Sequence, residues 1–147
     1  MKICFVTVGK DFDASLKDKI DDYTKRVGRY YPVEWKVITS SDIKKETGDI
    51  LKAIKAEDFV YALDETGKEL NTIELSQKIE KNTISGVKTV IFIIGGAYGL
   101  GQEVRDRANF VWSLSRLTFP HQLVRLILSE SVYRAISVLK NEPYHHA

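Results

Sequence analysis

One cysteine, three prolines and three histidines are all that this 147-residue chain holds of the residues that most often staple, interrupt or metallate a fold. A lone Cys4 cannot form an internal disulfide, and a reduced, cytoplasmic setting fits that best. Placed inside an apolar run, Cys4 reads as a small buried hydrophobe rather than a nucleophile. No apolar run approaches the ~18 residues of a membrane span, and Met1–Val6 is too short for the core of a signal peptide. No metal site is expected: His145 and His146 are adjacent, His121 is far from both, and Cys4 lies near the other terminus. No repeat, low-complexity stretch or linker divides the chain, so residues 1–147 read as a single domain. Charge of one sign is also lacking, with a formal net charge of +2.

The distribution of charge says more than its sum. Residues 37–90 carry 8 Lys and no Arg against 10 acids, whereas residues 91–147 carry 5 Arg and 1 Lys against 4 acids. Arginine is the better fork for phosphate and the better stacking partner for bases, so a nucleic-acid partner is one reading and a solvated surface the other. All three histidines also fall after residue 100.

Apolar patterning predicts alternating strands and helices. Lys2–Val8 reads as a buried strand, and Asp13 or Ser15 caps a helix to about Arg29 with Leu16, Ile20, Tyr23 and Val27 on one face. Val33–Thr39 is a second strand, residues 40–57 hold a short helix, and Phe59–Leu63 is a third strand running into an Asp64–Gly67 turn. A helix starts at Thr72. Val87–Ile94 is the most apolar strand, its continuous character implying burial on both faces. A short helix follows near Glu103–Arg107, then a strand at Asn109–Leu114. Pro120 suits a helical first turn, and the last helix runs to about Lys140 with Leu123, Ile127, Val132, Ile136 and Leu139 sharing a face. This order predicts an α/β fold with a mainly parallel sheet, ligands being bound beyond the carboxyl ends of the strands. Leu63–Gly67, Gly95–Gly101 and Leu114–Pro120 are then the three loops placed to form one pocket.

The glycine loop is neither a dinucleotide fingerprint nor a phosphate loop. Val104 stands where the third fingerprint glycine belongs, and Gln102-Glu103 replaces the Lys-Ser/Thr pair that touches phosphate and metal. Ser113, Ser115, Ser129 and Ser131 lack a nucleophile-elbow context. Trp35 and Trp112 read as core or interface. Glu130, Tyr133 and Arg134 fall at helical spacings that bring them together, either as a surface ion pair or as a face offered to a polar substrate.

Four ordered stretches carry a resemblance: Ile94–Leu100, Leu114–His121, Glu130–Ala135 and the closing Pro143-Tyr144-His145. Together with the opening Lys2-Ile3 strand and the Leu63–Lys68 turn, they resemble the RlmH family of small bacterial SPOUT-class methyltransferases. The resemblance implies a SPOUT-type α/β-knot with a C-terminal trefoil knot, a homodimer, and S-adenosyl-L-methionine as cofactor with no metal. It implies methylation of N3 of a pseudouridine in 23S rRNA on assembled ribosomes. Leu63, Gly95 and Leu114, Ser115, Arg116, Leu117, Thr118 and Phe119 match the family's cofactor-contacting positions. Glu130, Arg134, Tyr144 and His145 match its composite substrate site. The chain departs from the family at Ala97 (often Pro), Ser131 (often Gln) and His146 (commonly Arg).

The chemistry so implied is an in-line displacement, for which the protein mainly supplies alignment. A base must take the imide proton, and Glu130 and His145 are both candidates. Arg134 would neutralise charge developing on the flanking carbonyl oxygens. The competing readings are a knotted tRNA methyltransferase, a non-catalytic RNA-binding domain of the same fold, and an α/β enzyme acting on a small nucleotide.

Overall fold

The computed structural model describes residues 1–146. Strand β1 (Lys2–Val8) is buried along nearly its whole length. Asp13 then caps α1 (Ala14–Gly28) by accepting from the Ser15 amide. Pro32 separates that helix from β2 (Val33–Ile38), and Asp42 caps α2 (Ile43–Lys52). Strand β3 (Phe59–Glu69) leads to α3 (Thr72–Ile84), whose start carries a reciprocal capping box between Asn71 and Glu74. Strand β4 (Thr89–Ile94), α4 (Gln102–Arg107), β5 (Phe110–Ser113) and the long α5 (His121–Leu139) complete the chain.

The five strands form one sheet in the order β2-β1-β4-β3-β5, parallel throughout. Alternate side chains divide the core. Ile3, Phe5, Tyr61, Phe92 and Trp112 face α1, α3 and α5, meeting Val27, Leu75, Ile79, Leu128 and Val132. Cys4, Val6, Val8, Val60, Ala62, Ile91 and Ile93 face α2 and α4, meeting Ile50 and Val104. Helices on both faces explain why β1 and β4 are apolar without alternation. The parallel arrangement also brings the middle of β3 and the segments after β4 and β5 out at the same edge.

Three expectations change. The Asp64–Gly67 turn lies inside a strand that resumes: Leu63 and Lys68 both pair with Trp112, and the residues between them bulge out of the ladder. Pro120 stands at the N-cap rather than in the first turn, its carbonyl accepting from the Val124 amide at 3.1 Å. Most consequentially, Leu123 and Ile127 are only partly buried, and the core side of α5 is made by Leu128, Val132, Ala135 and Ile136. Val132 lies nine residues beyond Leu123, about two and a half turns, and therefore on the opposite side. Arg125 is fully buried on the core side, donating to Thr7 Oγ1 at 3.0 Å and to the Lys10 carbonyl at 2.9 Å.

Candidate active site

The bulge of β3 and the loops after β4 and β5 converge on one cavity of about 540 Å³, a common size for a small-molecule site. Leu63, Ile94, Leu100, Leu114 and Val124 give it apolar walls, while Tyr98 (80% exposed) and Leu117 (69% exposed) stand at its rim. The glycine loop doubles back on itself. Gly99 donates to the Gly96 carbonyl at 3.0 Å and adopts φ +73°, a conformation that favours glycine. A Cβ at Gly95 would lie 2.7 Å from the Gly99 carbonyl carbon. Gly95 is thus required by the loop's own closure, before any ligand is considered.

Polar contacts tie the three loops together. Arg105 donates to the Leu100 carbonyl at 2.7 Å and to Asp64 at 3.2 Å, clamping the β3 bulge against the glycine loop. Burial alone would raise the Asp64 carboxyl; hydrogen bonds from Thr66 and the Arg105 guanidinium outweigh it and hold it below its ordinary value. Thr118 Oγ1 donates to Glu65 at 3.1 Å. In the 114–119 turn, Ser113 Oγ donates to the Ser115 carbonyl, and the Leu117 amide donates to Ser115 Oγ.

Of the cofactor positions read from the sequence, Leu63, Gly95, Leu114, Ser115, Leu117, Thr118 and Phe119 line this cavity. Arg116 does not: it turns away to pair with Glu69 at 3.0 Å. Asp64, Glu65, Tyr98, Arg105 and His121 line the cavity as well, beyond the residues that the sequence assigns to the site. His121 closes the Leu114–His121 stretch. Arg105 carried no signal, because its role comes from a bulge visible only in three dimensions.

The other four residues form a separate cluster. Glu130 accepts from Arg134 at 2.7 and 2.8 Å, one helical turn along α5. The Tyr144 hydroxyl lies 3.1 Å from the same Glu130 oxygen, and Arg134 Nη1 lies 3.3 Å from His145 Nδ1. The Arg134 guanidinium also sits 4.7 Å over the Tyr144 ring. Burial above all, and the charge of Glu130, push the Tyr144 phenol well up. At Arg134 burial opposes the charged form, but the Glu130 contact prevails and the guanidinium is further stabilised.

This cluster does not line the cavity of its own chain. Val124 touches the cavity, and Glu130 lies about 9 Å farther along α5. Leu123, Ile127, Glu130 and Arg134, at helical spacings of four, three and four, form one outward row on that helix. Among the described residues no group of three His, Cys, Asp or Glu side chains is arranged to hold a metal ion, and no helix is long and apolar enough to cross a membrane.

A sequence model of the family described as "Predicted SPOUT methyltransferase" matches residues 1–145. Similar proteins include the ribosomal RNA large subunit methyltransferase H of Clostridium botulinum, 42% identical over 99% of each chain. That of Flavobacterium johnsoniae is 39% identical over 99% of each chain. A putative counterpart from Methanococcus vannielii is also 39% identical over 99% of each chain. Matched over nearly its whole length in this way, the chain belongs to the SPOUT methyltransferase family.

Proposed function

We propose that the protein is an S-adenosylmethionine-dependent methyltransferase acting at N3 of a pseudouridine in 23S rRNA, on assembled ribosomes, as a cytoplasmic homodimer. One observation carries the reading. The cavity and the Glu130–Arg134–Tyr144–His145 cluster lie apart within one chain. The outward row on α5 joins an apolar stretch, Leu123 and Ile127, to Glu130 and Arg134. A two-fold contact along this row would bring one copy's cluster to the other copy's cavity. The trefoil knot of the family would lie where the 95–101 and 114–120 loops meet.

The cavity suits the cofactor. Leu63, Leu100, Leu114 and Leu117 offer apolar walls for an adenine ring, and the bare backbone of Gly95–Gly96 and 114–119 offers hydrogen-bonding groups for the adenosine. Bound there, S-adenosylmethionine would supply a methyl group already activated by a sulfonium. The protein's residues do the rest. Tyr144 packs against the acceptor base, Arg134 draws charge from its carbonyl oxygens, and Glu130 or His145 takes the N3 proton. No phosphate-binding lysine is needed, in keeping with Gln102-Glu103 after the loop.

Ribosomes lacking the modification, incubated with the protein and labelled S-adenosylmethionine, test the reading. Label should map to a single pseudouridine of 23S rRNA. Label on tRNA alone, or tight magnesium-dependent ATP binding in place of S-adenosylmethionine, overturns it.

A further inference from the structure

The C-terminal tail is pinned to α1 as well as to α5. The Glu142 carboxylate accepts from the Tyr133 hydroxyl at 2.7 Å and from the Tyr30 hydroxyl of the α1–β2 connection. Two residues farther on, the Tyr144 hydroxyl lies 3.1 Å from Glu130 Oε1 and 3.3 Å from the Tyr23 hydroxyl of α1. A hydroxyl has one proton and a carboxylate can only accept. The Tyr144 proton therefore goes to Glu130, which leaves the Tyr144 oxygen to accept from Tyr23. The Arg26 guanidinium, one turn along α1, lies 5.5 Å from the Tyr23 ring centre, 5.4 Å from Tyr133 and 5.9 Å from Tyr144. It is held from behind by Asp22 at 3.3 Å. Ile20 and Val27 are the fully buried side chains of α1, while Tyr23 is partly buried and packs against the same core through its ring.

We propose that Tyr23 and Arg26 are positioning residues for methyl transfer, acting through Tyr144. Tyr23 fixes the height of the Tyr144 hydroxyl, and so the carboxylate it donates to. Arg26 fixes the tilt of the Tyr144 ring by stacking among three tyrosines. With Tyr144 fixed, His145 is held at the Arg134 guanidinium instead of sweeping through solvent. The inference rests on the reading of the tail as part of the acceptor site.

The experiment measures methyl transfer from labelled S-adenosylmethionine to unmodified ribosomes, with kcat and KM determined for the full-length protein and its variants. Tyr23→Phe removes one hydroxyl and should lower kcat about 3- to 10-fold, the worth of one hydrogen bond, with KM for S-adenosylmethionine unchanged. In a Tyr144→Phe background the same change should be silent, because the partner oxygen is gone. Arg26→Ala should lower kcat about 2- to 5-fold. That loss should persist beside Tyr144→Phe, which keeps the ring, and vanish beside Tyr144→Ala. A full kcat in Tyr23→Phe, or an equal loss with and without the Tyr144 hydroxyl, overturns the inference while leaving the tail's role intact. Normal methylation by Tyr144→Ala overturns both.

Discussion

At the scale of single residues, Glu130 and His145 are the two candidates for the base in the proposed reaction. Both sit on Arg134, Glu130 through two short contacts and His145 through one at 3.3 Å. Glu130→Gln keeps the shape and the Tyr144 contact but loses the ability to take a proton; His145→Ala removes the imidazole alone. Whichever is the base should lose at least about 100-fold in kcat, the low end for a general base, and the other less. Affinity for S-adenosylmethionine, measured by calorimetry, should stay at the wild-type value in both. Asp64 supports a second prediction. Its carboxyl is held below the ordinary value in the folded protein, so its stabilising contribution is complete above the unfolded-state pKa of about 3.9. It is lost as pH falls through the lower, folded value. Thermal midpoints of wild type and Asp64→Asn should therefore differ at neutral pH and converge as pH drops below about 4, with wild type the more stable of the pair. A gap that persists at low pH would show that Asp64 acts by shape alone.

At the scale of elements, the glycine loop shows what a sequence discloses and what it hides. The β4 run ending in Gly95–Gly101 marked a ligand loop, and the loop does line the cavity. A Cβ at Gly95 would collide with Gly99 of the same loop, so the loop's own closure requires the glycine, in addition to any approach by a ligand. Gly95→Ala should accordingly lower the thermal midpoint and weaken S-adenosylmethionine binding more than 10-fold, both read in one thermal-shift titration. A variant of normal stability that still binds poorly would return the role to ligand approach. Strand and helix positions were legible because local capping and apolar period agree with the fold, as at Asp13, Asn71 and the unbroken β4 run. The inward face of α5 was legible only in part, since Val132 and Ile136 face the core while Leu123 and Ile127 do not. Leucine, isoleucine and valine surround that helix, so apolar identity does not mark its inward side, and the buried Arg125 lies among them. The pull of Arg105 on Asp64 was hidden for a different reason, since it joins residues 41 apart through a bulge.

At the scale of the whole molecule, the exposed side of α5 becomes the informative one. Leu123 and Ile127 share a row with Glu130 and Arg134, and in the proposed dimer a second copy laid along that row would cover apolar surface and bring cluster to cavity. Light scattering at micromolar concentration should report about twice the chain mass, and Leu123→Glu with Ile127→Glu should yield a folded monomer that no longer methylates ribosomes. Complementation asks the sharper question of whether the site is shared. Leu63→Arg drives a charged side chain into the cavity, and Glu130→Gln disables the cluster; each alone should be inactive. If each site joins the cavity of one copy to the cluster of the other, a mixed dimer holds one wholly intact site and one doubly broken one. Random re-pairing makes half of the dimers mixed, so unfolding and refolding the two variants together should restore about a quarter of wild-type activity. If each chain serves its own cavity, every site in the mixture keeps one lesion and the activity stays at the level of the separate variants. Recovery near a quarter, absent when the two are mixed without re-pairing, would establish that the unit of catalysis is the pair and not the chain.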